Sequence, residues 1–537
     1  MKRIILVTLV LSFAVIFNSC KKSNFDINDN PYQITESTVD YRTVLPAAES
    51  ITATIVATNW RTTQGWMGFW ARSGSYQSIT DEESYNFTTS FDQSNTVWAN
   101  LYGNITNYNN IQVAAASKGA GIYEGIARIM KAHNFGILVD LFGNIPYKDA
   151  LQGVNNLTPT YSKGADIYKD LLLQLDTAIT RLKTPTTNSA DKNPEIAKYD
   201  LAYAGNTANW IKVANTLKLR LIIHAADVPG FPVAAEYAKI VANGGGFLNA
   251  GENLQINPGY SASKPNPYYR QYVTNEGGTA APGGDVTKAS AYAVGPLGTN
   301  PNFASGYYGY NGDPRISRFY VAGALGLRGI PYGEVSGANT DNVGANLASV
   351  GGPGLVPTGS SSRAWIMTSV ESLFLQAEAK HRNIIPGGPG TATAQVNAAI
   401  TESFVWLGLT AAAASSYISG NTGYADVDYA YASSNPAVIP AGGPQAGLYT
   451  IISQRWFALN AIASYEVWTD YRRTDIKYGV ASGYPAGPPL SIIPSRTSNK
   501  IPVRFLYPQT EYNFNAANVA GEGTVNQFNS RIFWDLN

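Results

Sequence analysis

Apolar positions recur along this chain at helical spacing in several long runs. In GADIYKDLLLQLDTAITRL, residues Ile167, Leu171, Leu175, Ala178, Ile179 and Leu182 fall on one face of a helix. NWIKVANTLKLRLIIHAA repeats the pattern with Trp210, Val213, Ala214, Leu217 and Leu221, and SVESLFLQAEAKHR repeats it with Val370, Leu373, Phe374 and Ala377. IISQRWFALNAIASYEVWTDYRR reads as one more helix, carried by Ile452, Trp456, Leu459 and Ala463. YEGIARIMKAHNFGILVDLFG is a further candidate, ended by Gly143 and Pro146. Such stripes are buried by packing helix on helix, so the pattern predicts a mainly α fold.

Two stretches break this rhythm. Residues 243–362 hold NGGGF, NPGYSASKPNPYYRQY, GGTAAPGGD and GGPGLVPTGSS, which are turn compositions, and a second loop-rich insertion is expected over 384–448. More than a hundred residues cannot all lack structure inside a compact domain, so short strands and turns packed over the helices are expected. Recurring Tyr argues for order, and ordered loops on a rigid scaffold are where recognition usually sits.

The N-terminus is organised differently. Lys2 and Arg3 precede an apolar run from Ile4 to Phe17, interrupted only by Thr8 and Ser12. At about 1.5 Å per residue the run spans roughly 21 Å, short of the ~30 Å hydrocarbon core, so it reads as a signal peptide over residues 1–19. Cys20, the one cysteine, follows Phe17-Asn18-Ser19, and the junction resembles a bacterial lipobox. That resemblance implies two or three acyl chains on the Cys20 thiolate, enough for stable anchoring, with residues 20–40 as a flexible leash and 41–537 as the folded domain. Lys21 stands where enteric lipoproteins kept in the inner membrane carry Asp, which by analogy favours the outer membrane.

Composition removes several classes. Lys plus Arg (38) nearly balances Asp plus Glu (37), so no general field draws the chain to nucleic acid. One Cys and three His exclude disulfides and the usual zinc patterns; no metal and no cofactor are expected, and His133, His224 and His381 read as structural helix residues. Asp81, Glu82 and Glu83 could suggest a glycosidase pair, but adjacent acids do not face each other across a substrate. No nucleophile elbow, HExxH or phosphate loop occurs, so catalysis is the weaker reading.

Six segments, taken in order, carry a family resemblance: VDLFGNIPYKDAL (139–151), NWIKVANTLKLRL (209–221), YNGDPRISRFY (310–320), SVESLFLQAEAKHR (369–382), QRWFALNAIASYEVWTDYRRT (454–474) and IPVRFLYPQTEYNFNAANV (501–519). Together the chain resembles SusD/RagB lipoproteins. The resemblance implies a SusD-like fold in which helix pairs like tetratricopeptide units scaffold a loop-rich ligand-binding face with a few short strands. It also implies a partner, a SusC-like TonB-dependent outer-membrane barrel, and a captured oligosaccharide or peptide, with membrane contact through the lipid anchor alone. A surface glycoside hydrolase and a non-binding structural lid are the alternatives. Trp210, Trp456 and Trp468 read as core; Glu378, Arg472 and Arg473 read either as helix-orienting ion pairs or as solvated charges.

Sugars present apolar C–H faces between hydroxyls, so receptors stack them on flat rings beside amides and arginines. QGWMGFWARSGSYQS offers Trp66, Phe69, Trp70, Arg72 and Tyr76 among three glycines and is the leading local candidate. SGYYGYNGD with Tyr307, Tyr308 and Tyr310, and NPYYRQY with Tyr268, Tyr269 and Tyr272, are the others.

Overall fold

The computed structural model describes residues 40–296, 298, 300–438 and 446–537; residues 1–39, where the signal peptide, Cys20 and most of the leash are expected, lie outside the described residues. Its long helices are α1 (Tyr41–Thr58), α2 (Asp92–Lys118), α3 (Gly121–Phe142), α4 (Gly164–Lys183), α5 (Thr207–His224), α6 (Val233–Asn243), α7 (Ser369–His381), α8 (Gly388–Trp406), α9 (Ala411–Gly420), α10 (Ala446–Leu459) and α11 (Ser464–Thr474). Successive helices pack in pairs: α1 on α2, α2 on α3, α3 on α4, α4 on α5, then α7 on α8 and α10. The fold is mainly α with short strands, as the periodicity and the resemblance imply.

Each helix buries the face its sequence predicts. All six striped positions of α4 are buried. Asp40 starts α1, its carboxylate accepting the Arg42 amide at 2.9 Å. The face of α2 is diluted by Asn and Thr, yet Val97, Leu101, Ile105, Tyr108, Ile111 and Ala115 are all buried. Asn104 on that face donates to Ala48 O at 3.0 Å and to Thr52 Oγ1 at 2.8 Å, so the polar side chain stitches α2 to α1 rather than interrupting the contact.

Two expectations are corrected. The run 451–473 is two helices, because Ala461 adopts φ +60° and the Asn460 amide turns inward to donate to the Tyr308 and Tyr320 hydroxyls. The 384–448 stretch is not loop-rich where it is described: α8 and α9 occupy most of 388–420 and a short helix covers Tyr429–Ser434. Ala392, Val396, Ala399, Ile400 and Phe404 form a buried helical stripe there.

The 243–362 segment does supply strands. β1 (Trp70–Arg72) pairs with β5 (Thr287–Ala289), which pairs with β7 (Ser349–Val350) and then β6 (Tyr320–Val321), all antiparallel, with Trp70 opposite Ala289 and Tyr320 opposite Val350. Two further antiparallel pairs are β2 (Ile145–Pro146) with β3 (Tyr161–Ser162), and β4 (Leu254–Ile256) with β8 (Ala364–Met367).

Where α3, α5, α7, α10 and α11 meet, the core holds charges. Arg220 on α5 pairs with Glu371 on α7 at 2.5 Å, Arg455 on α10 lies 2.9 Å from Asp470 on α11, and His224 sits between Asp140 (3.3 Å) and Glu466 (3.0 Å). Burial opposes a charge on His224, but the two carboxylates outweigh it and raise its pKa to about 9. Arg472 lies over the Trp468 ring at 3.6 Å and the Trp534 ring at 4.8 Å; burial there pushes its pKa down to about 10. Glu378, Arg472 and Arg473 are therefore interior groups that orient helices.

Candidate ligand-binding clefts

The leading sequence candidate, 64–78, lies inside the core. Trp66 is fully buried, edge-on to Trp468 at 5.4 Å and Phe505 at 5.8 Å and stacked on Phe87 at 5.9 Å. Phe69 stacks on Trp456 at 4.7 Å, and Trp70 meets Tyr272 at 5.0 Å. The cavity beside Trp70 and Arg72 is about 10 Å³, room for one water and for no sugar. The glycines serve close approach: a Cβ on Gly65 would come 2.6 Å from the Tyr332 ring, and Gly68 combines φ +77° with Pro489 at 2.6 Å. Arg72 is equally structural, paired with Glu83 at 2.9 Å and donating to Glu334 O at 2.6 Å.

Tyr268, Tyr307 and Tyr308 are buried as well, and the expectation that they present rings to a ligand is corrected. Tyr268 packs on Tyr272 at 5.0 Å and Trp365 at 5.4 Å; Tyr307 lies against Phe457 at 4.6 Å; the Tyr308 hydroxyl donates to Phe457 O at 2.8 Å. Three of the proposed rings stay half-exposed: Tyr76, whose hydroxyl donates to Asp285, Tyr269, and Tyr310.

Tyr310 opens onto a cleft. It ends the short helix Gly306–Tyr310, whose first two tyrosines turn inward, and its hydroxyl donates to Ser482 O at 2.6 Å while its ring leans on Tyr484 at 5.2 Å. That anchorage fixes the ring at the rim of a cavity of about 780 Å³, faced by α9 through Ser416 and Tyr417 and closed by Asn421 and Tyr424. Tyr424 is 49% exposed. Asn421 donates to Asn311 O at 3.2 Å, tying the two walls together. Two accessible phenol rings with amides and a hydroxyl between them suit a sugar's alternation of apolar faces and hydroxyls.

A second groove, about 710 Å³, lies between β4, β8 and the end of α8, with Trp406 and Arg363 in its lining. Trp406 was hidden from sequence reasoning by the assignment of its segment to loop. Other concavities, of about 550 Å³ near Lys477 and about 510 Å³ near Lys131, are lined by charged side chains of both signs.

The family model described as "Starch-binding associating with outer membrane" matches residues 31–508. This chain belongs to the SusD/RagB family. Solved SusD-like structures share its fold. A chitin-binding SusD homolog from Flavobacterium johnsoniae superposes with a TM-score of 0.68 at 21% identity, covering 92% of this chain and 99% of that one. A SusD/RagB family protein from Bacteroides thetaiotaomicron gives 0.68 at 19%, covering 93% and 99%, and a SusD homolog from Bacteroides uniformis gives 0.67 at 22%, covering 93% and 100%. None of the curated protein sequences matches the chain. Among the described residues of this SusD-like protein, no helix is long and apolar enough to cross a membrane.

Of the three acids Asp81, Glu82 and Glu83, Asp81 is exposed and the other two have structural partners. Glu82 accepts from Arg61 and Thr62, both at 2.9 Å, and Glu83 from Arg72, so each buried carboxylate is committed to a different arginine. Asp140, His224 and Glu466 bring ligand-type atoms within 4.8 Å of one another. Both imidazole nitrogens there face carboxylates, which favour the protonated ring and make the three groups a buried ion-pair cluster. His133 is buried, and burial drives its pKa down to about 3, keeping it neutral. His381 meets the Tyr429 hydroxyl at 2.8 Å.

Proposed function

We propose that this SusD-like protein is a lipid-anchored receptor on the outer membrane that captures an oligosaccharide in the Tyr310/Tyr424 cleft and passes it to a SusC-like TonB-dependent barrel, without catalysis. One observation carries the site: a cleft of about 780 Å³, within the usual range for ligand pockets, rimmed by two accessible tyrosines and by Asn311, Asn421 and Ser416. The family description names starch and outer membrane, and a relative of the same fold is described as chitin-binding, so neutral glucan and chitin fragments are the first ligands to test. Cys20 is the site proposed for the lipid, and the barrel is the partner that the family resemblance implies. The pairing of Glu82 and Glu83 with separate arginines supports binding without turnover.

Calorimetric titration of the mature protein with maltooligosaccharides and chitooligosaccharides is the test. Saturable binding is expected, with no shortening of the oligosaccharide on prolonged incubation. Each ring contributes about 0.5–1.5 kcal/mol by stacking, so Tyr310→Ala with Tyr424→Ala should weaken binding by roughly fivefold or more. Unchanged affinity in the double variant removes this cleft as the site; product formation makes the protein an enzyme. Labelled palmitate should be incorporated by the wild type and not by Cys20→Ser, and the barrel should copurify with the lipidated protein.

A further inference from the structure

We infer that the groove at the end of α8 is a second, separate saccharide site, and that it takes an anionic sugar, stacked on Trp406 with its acidic group on Arg363. The ligand class rests on the reading of the protein as a glycan receptor; the location does not depend on the Tyr310/Tyr424 cleft.

Trp406 is the last residue of α8, and after Leu407 the chain turns away at Gly408, φ +81°, so no following helical turn covers the ring. The indole is half-buried and locked in place. Its Nε1 donates to Asn253 Oδ1 at 3.1 Å, the same oxygen accepts from the Ser369 amide at 2.9 Å and hydroxyl at 3.1 Å, and Trp365 meets the ring edge-on at 5.8 Å. A ring held by its edge and its N–H, facing a cavity of about 710 Å³, is a preorganised stacking surface.

Charge sets the class of sugar. Arg363 lines the same groove, is exposed, and among the described residues its guanidinium has no ion-pair or hydrogen-bond partner. The carboxylate in the groove wall, Glu402, is buried and turned onto Gly251 N (2.9 Å) and Ser369 Oγ (2.5 Å). The exposed charged side chain of the groove is therefore Arg363, whose planar fork suits a carboxylate or a sulfate ester. Gln255 and Asn257 in the lining offer amides to sugar hydroxyls.

The test uses the full mature protein and two anionic probes, a galacturonic acid tetramer and a sulfated galactan tetramer, beside neutral maltotetraose and chitotetraose. At least one anionic probe should bind, and should bind just as well to the Tyr310→Ala/Tyr424→Ala protein; which of the two binds identifies carboxylate or sulfate as the acidic group. Arg363→Gln, a surface change that leaves packing intact, should weaken that probe by about tenfold while leaving neutral probes unaffected, and Trp406→Phe should weaken it less than Trp406→Ala. Raising NaCl from low to high concentration should weaken the wild type and not Arg363→Gln. Failure of both anionic probes, or equal binding by wild type and Arg363→Gln at every salt concentration, overturns the assignment. Neutral binding that survives such a result leaves the Tyr310/Tyr424 reading standing, whereas absence of all saccharide binding removes both.

Discussion

Arg473 grips Glu378 with both arms of its guanidinium: Nη1 reaches Oε1 at 2.6 Å and Nη2 reaches Oε2 at 2.5 Å, tying α11 to α7 across the core. Burial opposes the charge on Glu378, but Arg473 and Arg382 outweigh it and hold its carboxyl well below the ordinary range. Removing one partner strands the other charge away from water, so Arg473→Met should lower stability by about 3–5 kcal/mol. The double variant Arg473→Met/Glu378→Leu should lose less than the sum of the single changes. Urea unfolding of the four proteins reads this coupling; strict additivity refutes it.

His224 makes stability depend on pH in a defined window. Its folded pKa, about 9, lies above its ordinary 6.5, so the stabilisation is complete below pH 6.5 and is lost as pH rises through 9. From 6.5 to about 9, at about 1.4 kcal/mol per pH unit, the loss is up to about 3 kcal/mol. Unfolding free energies measured from pH 6 to pH 10 should fall accordingly, and His224→Gln should flatten that limb. His133 acts at the other end: its lowered pKa of about 3 means that folding is penalised as pH falls below 6.5.

Trp66 is a core residue, and its substitution should be felt in stability. Trp66→Ala should destabilise by about 3–5 kcal/mol, read as a fall in unfolding midpoint. Whatever folded protein remains should bind its ligand with wild-type affinity. A ligand-affinity loss at unchanged stability would restore the ring as a binding platform.

Gly68 is restricted by both its conformation and its neighbour. With φ +77° and Pro489 2.6 Å from the position of a Cβ, Gly68→Ala should cost more than about 1 kcal/mol, whereas Gly103→Ala, on the open face of α2 with nothing within 4 Å, should be stabilising by up to about 1 kcal/mol. Thermal melts of the two variants should move in opposite directions.

The helical skeleton was legible because its signal is local: the α4 stripe from Ile167 to Leu182 needs only a 3.6-residue period. The division at Ala461 was not legible, since an apolar period passes through it and the turn depends on Asn460 finding Tyr308 and Tyr320. Trp66 and Tyr310 show the same limit for the site. Both lie among glycines and aromatics, and what separates a core ring from a rim ring is the arrival of Trp468 and Phe505 from the far end of the chain. Trp406 could have been found: Val396, Ala399, Ile400 and Phe404 mark α8 plainly, and a tryptophan at the last turn of a helix is a candidate for exposure.

The interior charges have a consequence for descent. Arg220, Glu371, Glu466, His224, Asp140, Arg455, Asp470, Arg473 and Glu378 lean on one another through shared contacts. No member can be exchanged alone without orphaning its neighbour in a dry setting, so any lineage that alters this cluster must alter it in concert. The exposed rim at Tyr424 belongs to no such cluster, and mutation can rewrite it while the scaffold beneath is inherited intact.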